Sequence, residues 1–335
     1  MIIRVETSPA YDVVIQRGSL SDVGSIFNLD RKVLVLTDSG VPAQYAQYVS
    51  SKAKEGHIFI VPQGEASKNL DSFQSVISYM LDHEFSRKDC VVAVGGGVCG
   101  DLGGFIAACY MRGIEFYNIP TTLLSMVDSS IGGKTAVDLG GYKNVVGAFY
   151  QPKCVLIDPN TLQTLDKRQI HAGLVEAFKM GATCDKSLFE LIEKSTSLDD
   201  DIEDIIVGAL NIKKNVVEQD TKEAGLRKVL NFGHTVGHAI ESGSNLSLLH
   251  GECVGIGMLY VSKGEAKKRI HALLKKYDLP ESHECDEDAL MELMARDKKT
   301  SNRNVDVVLV EEIGKFEIRN VPLEDMRKLL KGEWL

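Results

Sequence analysis

The chain has 335 residues, 44% of them hydrophobic and 25% charged, a globular composition that is long for one core and natural for two domains. A net charge of −9 counts against nucleic acid or an anionic membrane as the main partner, while a local cluster of Lys and Arg can still hold an anionic small molecule. The seven cysteines (Cys90, Cys99, Cys109, Cys154, Cys184, Cys253 and Cys285) are odd in number, scattered and without a CxxC pair. That pattern counts against a disulfide framework or a thiolate zinc site and places reduced thiols in the cytoplasm.

The start of the chain, Met1-Ile-Ile-Arg-Val-Glu6, reads as a strand and not as a signal peptide. No apolar run is long enough to span a bilayer. Short β-branched runs follow at Asp12–Gln16, Lys32–Thr37, Ile58–Val61, Val91–Val94, Glu115–Ile119 and Val155–Asp158, with helical patterns such as Asn69–His83 between them. The alternation predicts a mostly parallel sheet covered by helices, with ligands at the carboxyl ends of its strands.

Within this half, Val91–Val94 leads into Gly95-Gly-Gly-Val-Cys-Gly100-Asp-Leu-Gly-Gly104. Glycine lets the backbone approach a pyrophosphate, and a following helix N-terminus offers N–H donors. Gly95, Gly97 and Gly100 fit GxGxxG, a weak pattern alone that gains from its strand-turn-helix setting. Glu115 falls near the usual distance for a ribose-binding acid, but it opens a strand instead of closing one and is set aside. Next come Pro120-Thr-Thr122, then Val127-Asp-Ser-Ser-Ile-Gly-Gly-Lys-Thr135 and Lys143-Asn144. The P-loop spacing is absent, so this stretch reads as a glycine-rich loop with lysines suited to phosphate.

Past Asp158 helical periodicity takes over, and the domain boundary falls near Leu165 to Lys167, giving domains 1–166 and 167–335. Helices are expected at Ile170–Gly181, Ile202–Glu218, Thr235–Glu241 and Val254–Arg269, with the acidic run Asp199–Asp204 as a solvated helix start. His234 and His238 are four apart and face the same way on a helix, a zinc-chelating geometry. His250 adds a third imidazole, and Glu176 with Lys179 places an acid and a base at i and i+3. One carboxylate with two or three imidazoles and an open position makes a catalytic metal centre. His57, His83, His171, His271 and His283 lack such neighbours in the sequence. A last pair, Val305–Val310 and Lys315–Ile318, reads as a small hairpin turning at Gly314.

The ordered set of motifs resembles the 3-dehydroquinate synthases. Its landmarks are Gly64-Glu-Ala-Ser-Lys68, the Gly95–Asp101 turn, Tyr110-Met-Arg-Gly113, Pro120-Thr-Thr-Leu123, Val127-Asp-Ser-Ser130, Gly132-Gly-Lys-Thr135 and Gly147-Ala-Phe-Tyr-Gln-Pro152. The helical half adds Glu176 with Lys179, Glu223 with Arg227, Asn231–His238, His250 and Asp297-Lys-Lys299. The resemblance implies a Rossmann-like α/β domain followed by a mostly helical metal-binding domain, NAD and a divalent metal (zinc, with cobalt as the alternative), and a homodimer. The implied reaction converts 3-deoxy-arabino-heptulosonate 7-phosphate to 3-dehydroquinate and phosphate in the shikimate pathway, using NAD catalytically.

By the same resemblance, Glu176, His234 and His250 ligate the metal, although spacing alone pairs His234 with His238. His238 goes to the phosphate end of the substrate and to proton transfer. Lys134, Asn144, Asn231, His238 and a lysine of the pair Lys298 and Lys299 hold phosphate, with Arg112 reaching it from another subunit. Lys213 and Arg227 hold the carboxylate, and Asp128 and Lys179 contact the polyol. Asp38, Glu65, Lys68, Gly96, Gly97, Val98, Asp101, Thr121, Thr122, Thr164 and Leu165 line the NAD site, with Lys134, Lys143 and Asn144 beside it. Two departures stand out: Ala136-Val-Asp138 replaces the common Gly-Ile-Asn, and the stretch after Lys299 lacks an expected glycine. The competing readings are another sugar-phosphate cyclase, a metal-dependent polyol dehydrogenase and an inactive NAD-binding regulator.

Overall fold

The computed structural model describes residues 1–244, 247–297 and 304–334. The chain forms two compact units, Met1–Asp166 and Lys167–Leu335.

The strands of the first unit are β1 (Ile2–Val5), β2 (Tyr11–Ile15), β3 (Lys32–Asp38), β4 (Glu55–Val61), β5 (Cys90–Gly95), β6 (Glu115–Pro120), β7 (Lys134–Leu139), β8 (Tyr142–Phe149) and β9 (Cys154–Ile157). Its helices are α1 (Val23–Ile26), α2 (Ala43–Ser51), α3 (Leu70–Asp82) and α4 (Gly97–Cys109). A seven-stranded sheet runs in the order β1-β2-β9-β6-β5-β3-β4. Apart from the antiparallel β1–β2 pair, every pairing in it is parallel. Parallel strands covered on both faces must be apolar throughout, and β5 is buried at every position. Alternate residues serve opposite faces. Leu34 and Leu36 pack with Leu102, Phe105 and Ile106 of α4, while Val33 and Val35 pack with Ala46 and Val49 of α2. The helix expected from Asn69 begins one residue later, because the Asn69 side chain accepts from Ser72 N at 2.8 Å and acts as its cap.

One expectation needs correction here. Gly132 and Gly133 do lie between elements, with φ of +98° and +67°, but from Lys134 the loop reading fails, because β7 and β8 form an antiparallel hairpin. The chain turns at Gly140 and Gly141, with φ of +60° and +81°, the left-handed pair that a two-residue hairpin turn requires.

The second unit is built on α5 (Lys167–Cys184), α6 (Lys186–Lys194), α7 (Leu198–Gln219), α8 (His234–Gly243), α9 (His250–Tyr260), α10 (Gly264–Lys276) and α11 (Glu287–Asp297). The acidic run does open a helix: Ser197 caps α7, and Asp199, Asp200 and Asp201 occupy its first turn. The single helix expected over Val254–Arg269 is two helices. Ser262 Oγ donates to Met258 O at 2.7 Å, and Val310 exchanges backbone hydrogen bonds with Val261 and Lys263 at 3.1 and 3.2 Å. These bonds draw the backbone out of the helical pattern, and Gly264, at φ +60°, restarts it. Val310 follows β10 (Asn304–Leu309), which pairs antiparallel with β11 (Glu317–Pro322). This is the expected late hairpin with a wider connection, in which Gly314 N donates to Ala182 O at 2.8 Å. Among the described residues, no helix is long and apolar enough to cross a membrane. None of the seven cysteines is in a disulfide.

Candidate active site

The α/β unit places its chemistry at the carboxyl ends of β3, β5 and β6. β5 ends at Gly95 and α4 begins at Gly97, with Gly96 at the helix cap and no side chain closing it. A β-carbon on Gly95 would overlap the Cys99 side chain, and one on Gly96 would come 3.0 Å from Thr122 Cγ2. A side chain is therefore strongly disfavoured at Gly95 and tightly restricted at Gly96. Asp38 ends β3 and accepts from Gly40 N at 2.8 Å and from the Cys99 thiol at 3.3 Å. Burial pushes the Cys99 thiol well above its usual pKa, so it stays a donor. Thr121 N donates to Gly95 O at 2.9 Å, and Thr122 Oγ1 accepts from Ser125 N at 3.2 Å. A helix N-terminus without a side-chain cap, a glycine cradle, a carboxylate and two hydroxyls at adjacent strand ends fit a dinucleotide.

Val98 and Asp101 lie in the first turns of α4. Asp101 faces Lys68, a buried lysine that also pairs with Glu65 and lies 3.4 Å from Asp101 and 4.0 Å from Asp138. Burial opposes the Lys68 charge, but the Asp101 and Glu65 carboxylates outweigh it and raise its pKa. Asp138 also accepts from Asn144 N at 2.8 Å. The unusual aspartate thereby ties the hairpin bearing Lys143 and Asn144 to Lys68. Thr164 and Leu165 lie at the exit of the unit, where Thr164 Oγ1 meets the Tyr45 hydroxyl at 3.2 Å. Glu115 is engaged by Arg31 and Lys153 at 2.6 and 3.5 Å, in keeping with its exclusion as a ribose ligand.

Asp128 sits in a π-helical turn, Ser125–Ser129, half-buried, just before the Gly-Gly-Lys segment. Such turns concentrate at functional sites. Lys134 opens β7 at the rim of a small cavity shared with Asp101, Asn118, Ser129, Ser130 and Tyr150. Asn118 Oδ1 and Ser130 Oγ are buried there without a hydrogen-bond partner. Arg112 stands exposed with φ +69°, beside Met111 at φ +51°.

In the helical unit α5, α8 and α9 converge. Glu176 comes from α5, His234 and His238 from α8, and His250 opens α9. Glu176 Oε1 lies 3.7 Å from His234 Nε2 and 3.5 Å from His250 Nε2. That oxygen is buried and has no hydrogen-bond partner, while Oε2 is taken by Lys179. Each histidine spends its other nitrogen elsewhere: His234 Nδ1 on Phe232 O at 3.2 Å, and His250 Nδ1 on Glu241 at 3.1 Å. This is how metal-ligating histidines are oriented. The imidazole nitrogens of His234, His238 and His250 also lie within 4.8 Å of one another, so the spacing argument and the resemblance point into one cluster.

Electrostatics fit a cation there. Burial would raise the Glu176 pKa, but Lys179 and the two imidazoles hold it well below the carboxylate range. Burial, then Lys179, lowers that of His234, which keeps its ring neutral. Burial opposes charge on His250 too, yet the neighbouring carboxylates of Glu176 and Glu241 push its pKa up to about 10. A divalent ion binding there would compete with protons for these ligands. One carboxylate oxygen, unpartnered, with two imidazole nitrogens matches the N/O donor set of a catalytic zinc.

Lys213 on α7 and Arg227 in the turn Leu226–Asn231 are buried cations, 5% and 3% exposed, as a carboxylate-binding pair requires. Arg227 Nη1 donates to Thr221 O at 2.6 Å, and Asn231 Nδ2 to Glu223 Oε1 at 2.6 Å. Lys298 and Lys299 lie outside the described residues. Glu241, which orients His250, went unnoticed in the sequence; its only signal was a carboxylate seven residues past His234 on one helix. His57 and His83, isolated in sequence, meet edge to face with centroids 4.9 Å apart.

Comparisons with known proteins bear on the family and the fold. The family described as 3-dehydroquinate synthase N-terminal matches residues 58–172, and 3-dehydroquinate synthase C-terminal matches residues 173–300. A 3-dehydroquinate synthase of Streptococcus suis (strain 05ZYH33) is 39% identical over 346 residues, covering 96% of this chain and 97% of that protein. Among solved structures, a 2-epi-5-epi-valiolone synthase from Streptomyces hygroscopicus subsp. jinggangensis 5008, with NAD+ and Zn2+ bound, is similar at a TM-score of 0.88 and 27% identity over 96% of each chain. A 2-deoxy-scyllo-inosose synthase complexed with carbaglucose-6-phosphate, NAD+ and Co2+ reaches 0.87 and 26%, covering 98% of this chain and all of that one, 100%.

Proposed function

The chain belongs to the 3-dehydroquinate synthase family, and we propose that its helical unit holds the divalent metal on Glu176, His234 and His250 while its glycine turn holds NAD. Its activity is that of a 3-dehydroquinate synthase, an NAD- and metal-dependent lyase of the shikimate pathway. The observation that carries the assignment of residues is the unpartnered Glu176 Oε1, 3.7 and 3.5 Å from the two Nε2 atoms.

When bound, NAD supplies a reversible hydride acceptor and the metal a Lewis acid for the hydroxyl being oxidised. The chain's own side chains then have distinct tasks. In the helical unit, Arg227 and Lys213 take the substrate carboxylate, Arg227 through its planar fork. Asn231 and His238 meet the phosphate, and His238 moves a proton as that group leaves. Lys179 contacts the substrate hydroxyls. In the α/β unit, Lys134 and Asn144 serve phosphate, Asp128 serves the polyol, and Asp38, Gly96, Gly97, Thr121 and Thr122 cradle NAD. Lys298 belongs to the phosphate set by the resemblance alone. The free cysteines support a cytoplasmic setting. A homodimer completes the proposal, with Arg112 reaching the partner's phosphate. Exposed apolar residues on the β7–β8 hairpin, Leu139, Tyr142, Val145 and Phe149, support self-association.

The test is phosphate release from 3-deoxy-arabino-heptulosonate 7-phosphate with NAD and zinc present, while absorbance follows NADH. The expected result is stoichiometric phosphate and dehydroquinate with no net NADH. Absence of phosphate release would redirect the substrate to another cyclase reaction, and NADH accumulating on simple polyols would support a dehydrogenase. Lys134→Ala should weaken substrate binding and slow elimination by about 10- to 100-fold, as expected for loss of a charge-assisted contact to phosphate. NAD affinity, measured by titration, should change much less than substrate affinity, since Lys134 lies beside the NAD site and not among the residues lining it. A variant with normal kcat/KM on the heptulosonate phosphate would remove Lys134 from the phosphate site.

A further inference from the structure

Two residues outside the ligand set meet at the start of α9. Arg168 is the second residue of α5, and Glu252 is the third of α9, two after His250. The Arg168 Nε and Nη2 atoms donate to Glu252 Oε1 and Oε2 at 2.6 and 2.7 Å. The same Nη2 donates to the Ser247 carbonyl at 2.9 Å, and Glu252 Oε2 also accepts from Leu249 N at 2.8 Å. One guanidinium–carboxylate fork therefore ties both the segment entering α9 and the first turn of that helix to α5.

That helix carries Glu176. One turn before Glu176, the Ala172 carbonyl approaches Gly251 so closely that a β-carbon on Gly251 would overlap it. The two ligand-bearing helices thus touch through backbone immediately beside His250, and the fork closes over the contact. Arg168 is half-exposed, with 54% of its side chain accessible against 4% for Glu252. Solvent screening keeps the contribution of such a pair to global stability small. Its geometry is the stronger feature, since a bidentate fork sets direction as well as distance.

We propose that Arg168 and Glu252 are positioning residues for the metal, fixing His250 Nε2 opposite Glu176 Oε1. The inference rests on the metal assignment above. It explains why a half-exposed arginine makes two bonds to a buried carboxylate that already caps the helix. Both act through the first turn of α9.

The experiment uses the full chain stripped of metal and without NAD, so that activity is not the readout. Zinc affinity is measured by competition with a chromophoric chelator for the wild type, Arg168→Ala, Arg168→Lys, Glu252→Gln and His250→Ala, alongside melting of each metal-free protein. Arg168→Ala and Glu252→Gln should bind zinc about 10- to 100-fold more weakly, the usual effect of removing an outer partner of a metal ligand. Arg168→Lys should fall between, because it keeps the charge and loses the fork. Melting of the metal-free Arg168 variants should stay close to that of the wild type. Wild-type zinc affinity in both Arg168→Ala and Glu252→Gln, with His250→Ala weakened, would overturn the positioning role alone. A lower melting temperature with unaltered zinc affinity would overturn it too, showing a purely structural pair. Wild-type affinity in His250→Ala would instead remove the ligand assignment beneath it.

Discussion

Replacing His250 with alanine should abolish turnover and weaken zinc binding by more than about 100-fold, beyond what loss of an outer partner produces. Of the three donors, His250 is the one best exposed to incoming ions, with 32% of its side chain accessible against 13% for His234 and 1% for Glu176. Its Nδ1 is held by Glu241, which leaves Nε2 as the atom facing Glu176 Oε1. The fold should survive. His250 opens α9, and the residues by which that helix packs, including Cys253, Val254, Ile256 and Met258, are untouched. NAD affinity should survive as well, since the glycine turn belongs to the other unit. Metal analysis after dialysis, circular dichroism and NAD titration on one preparation check all three statements. Full turnover by a chelator-washed His250→Ala protein would refute the ligand set.

The second large effect is expected at Lys179. Its ammonium and the Glu176 carboxylate form an ion pair one turn apart on α5, with side chains 2% and 1% exposed. Removing one partner of so deeply buried a pair leaves an uncompensated charge and costs about 3–5 kcal/mol. Lys179→Met should therefore destabilise the metal-free helical unit by about that amount, read as a shift in denaturant midpoint. Zinc should recover much of the loss, because a divalent ion at Glu176 compensates the same carboxylate and stabilises whatever it binds. Equal midpoints for metal-free Lys179→Met and wild type would show that Lys179 does not balance Glu176. Turnover should fall sharply even with zinc restored, since Lys179 is also assigned to the substrate hydroxyls.

These elements differed in how openly the chain announced them. The parallel strands were readable to within a few residues because full burial demands unbroken apolar runs, as in Val33–Leu36 and Val91–Val94. The β7–β8 hairpin escaped because β8 is mostly exposed and carries no regular alternation; the adjacent pair Gly140-Gly141 was the sign available. The break between α9 and α10 is imposed by Val310, a residue far along the chain, so no local pattern records it. In the metal cluster, His234 and His238 declared themselves by helical spacing. Glu176 and His250 sit on other helices; the sequence offered them as a carboxylate and a third imidazole for the same centre, and the resemblance chose them as ligands over His238. Glu241, Arg168 and Glu252 act through three-dimensional neighbours, and their identities look ordinary in sequence.

The place of β9 in the sheet has a consequence for synthesis of the chain. The pair β1–β2 precedes the other strands in the chain, yet among the described residues its link to them runs through β9, which lies between β2 and β6. A nascent chain that has emerged only as far as β8 therefore holds two separate pieces, an N-terminal ribbon and a four-stranded block β6-β5-β3-β4, each with an edge open to water. Exposed edges of this kind pair readily with other chains. Four residues, Cys154–Ile157, close both edges at once, so the interval before they leave the ribosome is when this unit most needs protection from aggregation.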